Sequence, residues 1–303
     1  RHLGVHKFYT TWALYAFTCE PLGQQMMYPD RFPPGADPDA FLINKTNWQE
    51  LKTPEFTCGI PRAIDGILRV TQELTGVPPL LQISAPYSLA ADIYGQEPLL
   101  ADVVSDPDTV NALLDHLGDE ILAPWMDHHF KTFPDGWVEL SDASGSPFFI
   151  GPENCMQMSI RSIRHMLRGK TYADRVFDNN FRGDFVASVK KKGRGSRRNV
   201  QNPPQSSQAK LLELTDAKVS VNPVFIMRLE ADKINISFYE EEAIRRNLPL
   251  TCGIGSPQID RNSIKDLEAT RINIREDARS FVDSIKRVCQ TGDLPQENQV
   301  GAP

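Results

Sequence analysis

The alternation of apolar and polar positions is clearest between Pro79 and Glu153. Leu80-Leu81-Gln82-Ile83-Ser84 is a short apolar run of the kind a buried parallel strand carries, and it stops at Ala85-Pro86. Asp106-Pro107-Asp108 then opens a helix: Asp106 can cap, Pro107 suits the first helical position, and Asp108 favours the positive end of the dipole. Val110, Leu113, Leu114, Leu117, Ile121, Leu122 and Trp125 follow at helical spacing as one stripe. Trp137-Val138-Glu139-Leu140 predicts the next strand, followed by the loop Ser141 to Ser146. Strand, helix, strand is the unit of a parallel sheet.

Further short strands are predicted at Arg175 to Phe177, Lys218 to Val221, Lys233 to Ile236 and Leu248 to Thr251. Glu240-Glu241-Glu242 opens a helix that closes on Arg245-Arg246, both ends complementing the macrodipole, and Ser263 to Cys289 predicts late helices. This alternation gives the α/β class and leaves a barrel and a doubly wound open sheet both standing. Lys190 to Arg198, continuing into Pro203 to Ser207, has no apolar anchor, and 190–208 is expected to be a basic mobile loop. It reads as solvated chain, or as an anion clamp over a binding site.

Composition narrows the class. With 303 residues, 40% hydrophobic, 24% charged and a net charge of -6, the chain is expected to be a cytoplasmic protein with one large core. The acidic balance speaks against nucleic acid, and no apolar run is long enough for a membrane helix. Five scattered cysteines without a CxxC pair suggest reduced thiols. Arg1 to Lys7 carries neither a start methionine nor a helix cap, so a preceding segment is expected.

Ser84-Ala85-Pro86-Tyr87-Ser88-Leu89-Ala90-Ala91 with Gly95, Leu99 to Asp102 and Asp106-Pro107, together with Asp142 to Ser146 and Gly151-Pro152-Glu153, resembles the uroporphyrinogen decarboxylase superfamily. The resemblance spans about residues 10 to 290 and is densest from 78 to 170. It implies a single (β/α)8 barrel domain over 1–303, with the site at the C-terminal strand ends. It also implies one of two chemistries, tetrapyrrole decarboxylation or zinc-dependent methyl transfer between a corrinoid and a thiol.

Departures weigh on that choice. The decarboxylases' early aspartate would fall within Thr11 to Phe17, where no acid stands, and their tyrosine and serine fall at Asp92 and Asp142. Their late histidine has no counterpart, since none follows His165. The methyltransferases' zinc-binding His-x-Cys is replaced by Asp178-Asn179-Asn180, which speaks against thiolate-bound zinc. Corrinoid-linked methyl transfer is therefore expected first, with a corrinoid as co-substrate, a corrinoid protein as partner and no metal. A decarboxylase of a tetrapyrrole or small carboxylate, and a non-catalytic tetrapyrrole or corrinoid carrier, are the alternatives. The superfamily also implies a homodimer.

Asp142 and Asp178 follow predicted strands and are the candidate general acid or base, expected at a mouth with few packing contacts. A helix cap or an ordered turn is the structural alternative for each. Asn180 and Arg182 offer an amide and a planar fork for a carboxylate, and the resemblance adds Ser84, Tyr87 and Ser144 as substrate contacts. Cys252 follows the strand ending at Thr251 and reads as a ligand contact or, more commonly, a small buried hydrophobe. Gly253 and Gly255 form no dinucleotide fingerprint, so no NAD is expected. His128-His129 point about 100° apart on a helix and are expected at its solvated end, with His165 on an exposed face.

Overall fold

The computed structural model describes residues 18–28, 30, 34–178, 205–221, 225–229, 236–247 and 250–254. Asn180, Arg182, the basic segment up to 204, Lys233 to Asn235 and the late helices at 263–289 lie outside them.

A small antiparallel pair, β1 (Met26–Met27) and β2 (Gly35–Ala36), precedes the first long helix, α1 (Gly59–Thr75). Gly76 ends α1 in the left-handed conformation, φ 68°, and donates its N–H to Gln72 O at 2.8 Å. Strand β3 (Leu80–Ser84) runs into α2 (Pro86–Tyr94), α3 (Gln96–Ser105) and α4 (Pro107–His116). Asp106 caps α4 as its side chain accepts from Thr109 N at 3.3 Å.

The apolar stripe from Val110 to Trp125 is one continuous rod with a widened turn at Leu117–Leu122, leading into α5 (Ala123–Thr132). Pro124 explains the widening, because its ring cannot donate to the carbonyl four residues back and clashes with it. That carbonyl, Glu120 O, instead accepts the Thr53 hydroxyl at 2.5 Å.

Strand β4 (Trp137–Ser141) follows, then α6 (Pro147–Asn154), a second widened turn at Cys155–Ile160, α7 (Arg161–Met166) and β5 (Val176–Asp178). The three strands form one parallel sheet in the order β3, β4, β5, with Ser84 opposite Ser141 and Leu140 opposite Asp178. Their C-terminal ends therefore lie together, as the repeated strand and helix pattern predicts.

The second half departs from the sequence reading. Residues 218 to 221, expected as a strand, close helix α8 (Gln205–Val219) and the turn behind it, and α8 also takes in the end of the stretch expected as a loop, 205–208. Leu211, Leu214, Thr215, Ala217 and Lys218 are its buried positions, at spacings of a helix and not of a strand. Strand β6 (Phe225–Leu229) was not anticipated, and Ile236, expected in a strand, starts helix α9 (Ile236–Arg246). Strand β7 (Leu250–Ile254) pairs in parallel with β6, so Cys252 sits inside a strand opposite Met227 and not beyond its end. The described residues establish an α/β architecture with parallel strands, and none of their helices is long and apolar enough to cross a membrane.

Candidate functional site

Neighbouring residues of a parallel register share a face, so the two faces of the β3, β4, β5 sheet can be read off its pairing. One face carries Leu81, Ile83, Val138, Leu140 and Val176, all buried in the main hydrophobic core with residues such as Leu68, Leu113 and Leu214. The opposite face carries Leu80, Gln82 and Ser84 from β3, Trp137, Glu139 and Ser141 from β4, and Phe177 from β5. Gln82 stands opposite Glu139 and Ser84 opposite Ser141, forming two polar rungs. All four are buried, and Glu139 and Ser84 are 0% exposed.

Polar side chains on a buried sheet face are costly unless they are bonded, and parallel sheets are usually apolar on both faces. Gln82 Oε1 and Ser84 Oγ find no hydrogen-bond partner among the described residues. Ser84 N donates to Thr18 Oγ1 at 3.2 Å, which brings a further buried hydroxyl to the same strand end. Tyr87 OH, just after the strand in α2, and Ser146 Oγ, just before α6, are likewise buried without a hydrogen-bond partner among the described residues. Burial and the nearby Asp142 hold the Tyr87 phenol well above its usual range, so it is a neutral donor. The arrangement offers a carboxyl group, a carboxamide and several hydroxyls, a set suited to holding and deprotonating a small polar group.

Asp142 and Asp178 lie at the same C-terminal edge but are not at a solvated mouth, being 0% and 2% exposed. Asp142 Oδ1 accepts Ser88 Oγ at 3.0 Å and Gly145 N at 3.2 Å, while Oδ2 accepts the Ser159 hydroxyl. Ser88 Oγ in turn accepts Ser144 N at 3.1 Å. One carboxylate thus ties the start of α2, the loop after β4 and the turn before α7. A Cβ at Gly145 would fall 2.3 Å from Asp142 Oδ2, so the turn needs glycine for closeness.

Asp178 shares the apolar face with Leu140, its register partner, and pairs with Lys218 of α8 at 2.6 Å. Burial by itself would lower the Lys218 pKa, but Asp178, Cys155 and Asp142 more than offset it and the ammonium is held above its usual range. Burial pushes the neighbouring Cys155 thiol up to about 12. The expectation of few packing contacts for the two aspartates is therefore corrected: helices cover both. Lys218 and Cys155 were missed by the sequence reading, and so were Gln82, Glu139 and Ser141 as a group.

His128 and His129 are corrected as well. His128 Nε2 meets Asp65 at 2.7 Å, and His129 is 1% exposed between the rings of Phe130 and Phe133, not at a solvated helix end. Burial drives the His129 pKa down to about 3. His165 bonds Asp119 at 2.9 Å on a half-exposed face. Among the described residues no group of three or more histidine, cysteine, aspartate or glutamate side chains is placed to hold a metal ion.

No protein-family model matches the chain, and no curated protein matches it. Among solved structures it is similar to a methyltransferase from Methanosarcina mazei, at 14% identity over 85% of this chain and 77% of that one, with a TM-score of 0.49.

Proposed function

We propose that the chain is an enzyme that transfers a methyl group from a corrinoid co-substrate to a small acceptor, on a (β/α)8 barrel of the uroporphyrinogen decarboxylase type. The observation that carries the reading is the buried polar face of the sheet, Gln82 with Glu139 and Ser84 with Ser141. In such a barrel the helix-packed face looks outward, and this polar face lines the interior below the C-terminal mouth, where barrel enzymes keep their chemistry. The segments that resemble the superfamily are those that end β3 and β4.

In this reading Glu139 takes the proton of the acceptor, Gln82 and the hydroxyls of Ser84 and Ser141 orient it, and Tyr87 is a further donor. The acceptor then attacks the methyl carbon, the carbon–cobalt bond breaks, and its electron pair stays on cobalt. Orientation in a closed site supplies much of the acceleration. The seven positions that form this face of β3, β4 and β5 include no lysine or arginine, whereas a tetrapyrrole carboxylate would call for cations. Asp142 and Asp178 act here by position, Asp142 by fixing the loop after β4 and Asp178 by anchoring α8. No step runs through thiolate-bound zinc, because Asp178, where a metal ligand would stand, holds the Lys218 ammonium.

The test is anaerobic incubation with methylcobalamin and a panel of small thiols, followed by the visible spectrum. Thiol-dependent conversion to cob(I)alamin is expected. Release of carbon dioxide from a porphyrinogen without demethylation would replace the reading with decarboxylation, and binding of either compound without turnover would leave a carrier.

A further inference from the structure

Helix α1 has two apolar faces. Pro61, Ile64 and Leu68 are buried against the body of the protein. Ala63, Ile67, Val70 and Leu74 form a second stripe, in which Ile67 is 41%, Val70 53% and Leu74 80% exposed. Their spacing of four, three and four residues is that of a helix–helix seam. Isolated exposed apolar residues are ordinary, but a continuous stripe along a helix of 17 residues marks a contact surface.

We propose that this stripe is the contact between two copies of the chain, with the two α1 helices antiparallel across a two-fold axis. The stripe is self-complementary about a point between Leu68 and Arg69: reversal places Ala63 opposite Leu74 and Ile67 opposite Val70. The smallest member meets the most exposed and longest, and the two branched side chains meet each other. A two-fold contact requires such a match of a surface with itself, and an unrelated partner does not.

The charges obey the same axis. Arg62 and Glu73 flank the stripe on one side, and in an antiparallel pair like flanks face each other. Each Glu73 then lies within about 3 Å, along the helix axis, of the level of the other copy's Arg62, at roughly 1.5 Å rise per residue. Two ion pairs result. Arg69 would meet its own copy near the axis, but its guanidinium lies over the Phe133 ring at 5.7 Å, turned away from the stripe. Gly66, on the same flank as Glu73, has no atom within 4 Å of where a Cβ would stand, so nothing hinders close approach.

Sedimentation equilibrium of the full chain should show a dimer. Leu74→Glu should leave a folded monomer that melts where the wild type melts once diluted to monomer, and Glu73→Arg should weaken the dimer about tenfold. Combining Glu73→Arg with Arg62→Glu should restore it, which a general loss of fold cannot imitate. Mixed under oxidation, an Ala63→Cys chain and a Leu74→Cys chain carrying different tags should crosslink to each other. A monomeric wild type would overturn the proposal. So would a Leu74→Glu melting temperature far below that of the diluted, monomeric wild type, because the stripe would then be covered by the chain's own residues.

Discussion

The two faces of the β3, β4, β5 sheet use polar groups in opposite ways. On the helix-packed face each charge is answered from within the chain: Asp178 by Lys218 at 2.6 Å, and nearby Asp142 by two serines and a backbone N–H. On the other face Gln82 Oε1 and Ser84 Oγ are buried without hydrogen-bond partners among the described residues. A satisfied network gives a chain a unique packing, whereas unbonded buried groups are a standing cost that a ligand can remove. The first face should therefore report its changes in stability and the second in activity.

Glu139→Gln should give the largest effect. It keeps the size and one acceptor but cannot take a proton, so turnover in the methyl-transfer assay should fall roughly 10²–10⁴-fold. Methylcobalamin binding, read from its spectrum, should survive. Normal turnover in this variant would remove the polar face as the site.

The pair on the helix side comes next. Lys218→Met or Asp178→Asn alone should cost about 3–5 kcal/mol in denaturant unfolding, because one partner is left buried and unanswered. The double variant should recover most of that loss and keep its turnover. If the double variant is stable but inactive, Asp178 or Lys218 acts in the reaction and the division between the faces fails.

Asp142→Asn should cost less, about 1–3 kcal/mol, by weakening one or two of the three bonds its carboxylate accepts. The sequence alone suggested the reverse, a small stability effect and a large rate effect, since an aspartate after a strand reads as a residue of an open mouth. What hid the burial of Asp142 was tertiary: Ser88 and Ser159 are 54 and 17 residues away along the chain.

Other parts of the fold were legible for a local reason. The strands at Leu80 and Trp137 and the helix capped by Asp106 each announce themselves within ten residues. The polar rungs were in view too, since Gln82 and Ser84, like Glu139 and Ser141, alternate with apolar residues. They went unread because a five-residue apolar run looks continuous, and only the register joins one strand's polar positions to the next. Helix α8 was misread at its end because Val219 and Val221 alternate like a strand, and a buried lysine at position 218 is not a pattern to expect.

The smallest effect is also the most discriminating about the helices, because His129 and Asp92 shift in opposite directions. Burial lowers the His129 pKa to about 3, from an unfolded value near 6.5. Below pH ~6.5 the unfolded chain binds a proton that folded His129 refuses, so this contribution is complete above ~6.5 and is lost as pH falls toward 3. Asp92 has the opposite sign: burial raises it to about 7, partly countered by the Cys19 thiol that donates to it at 3.7 Å. Its folded form keeps a proton that the unfolded chain has released, so its contribution is present near pH 4 and lost as pH rises through 7. Between pH ~4 and ~6.5 the slopes cancel, each being at most about 1.4 kcal/mol per pH unit. The combined contribution of these two groups to stability should therefore be nearly flat across that window. Asp92→Asn should make it climb with pH, and His129→Phe should make it decline. Taking differences between the variant curves and the wild type removes every other titration. If His129→Phe leaves the slope unchanged, the histidine is protonated in the folded protein and is not sealed between Phe130 and Phe133 as described.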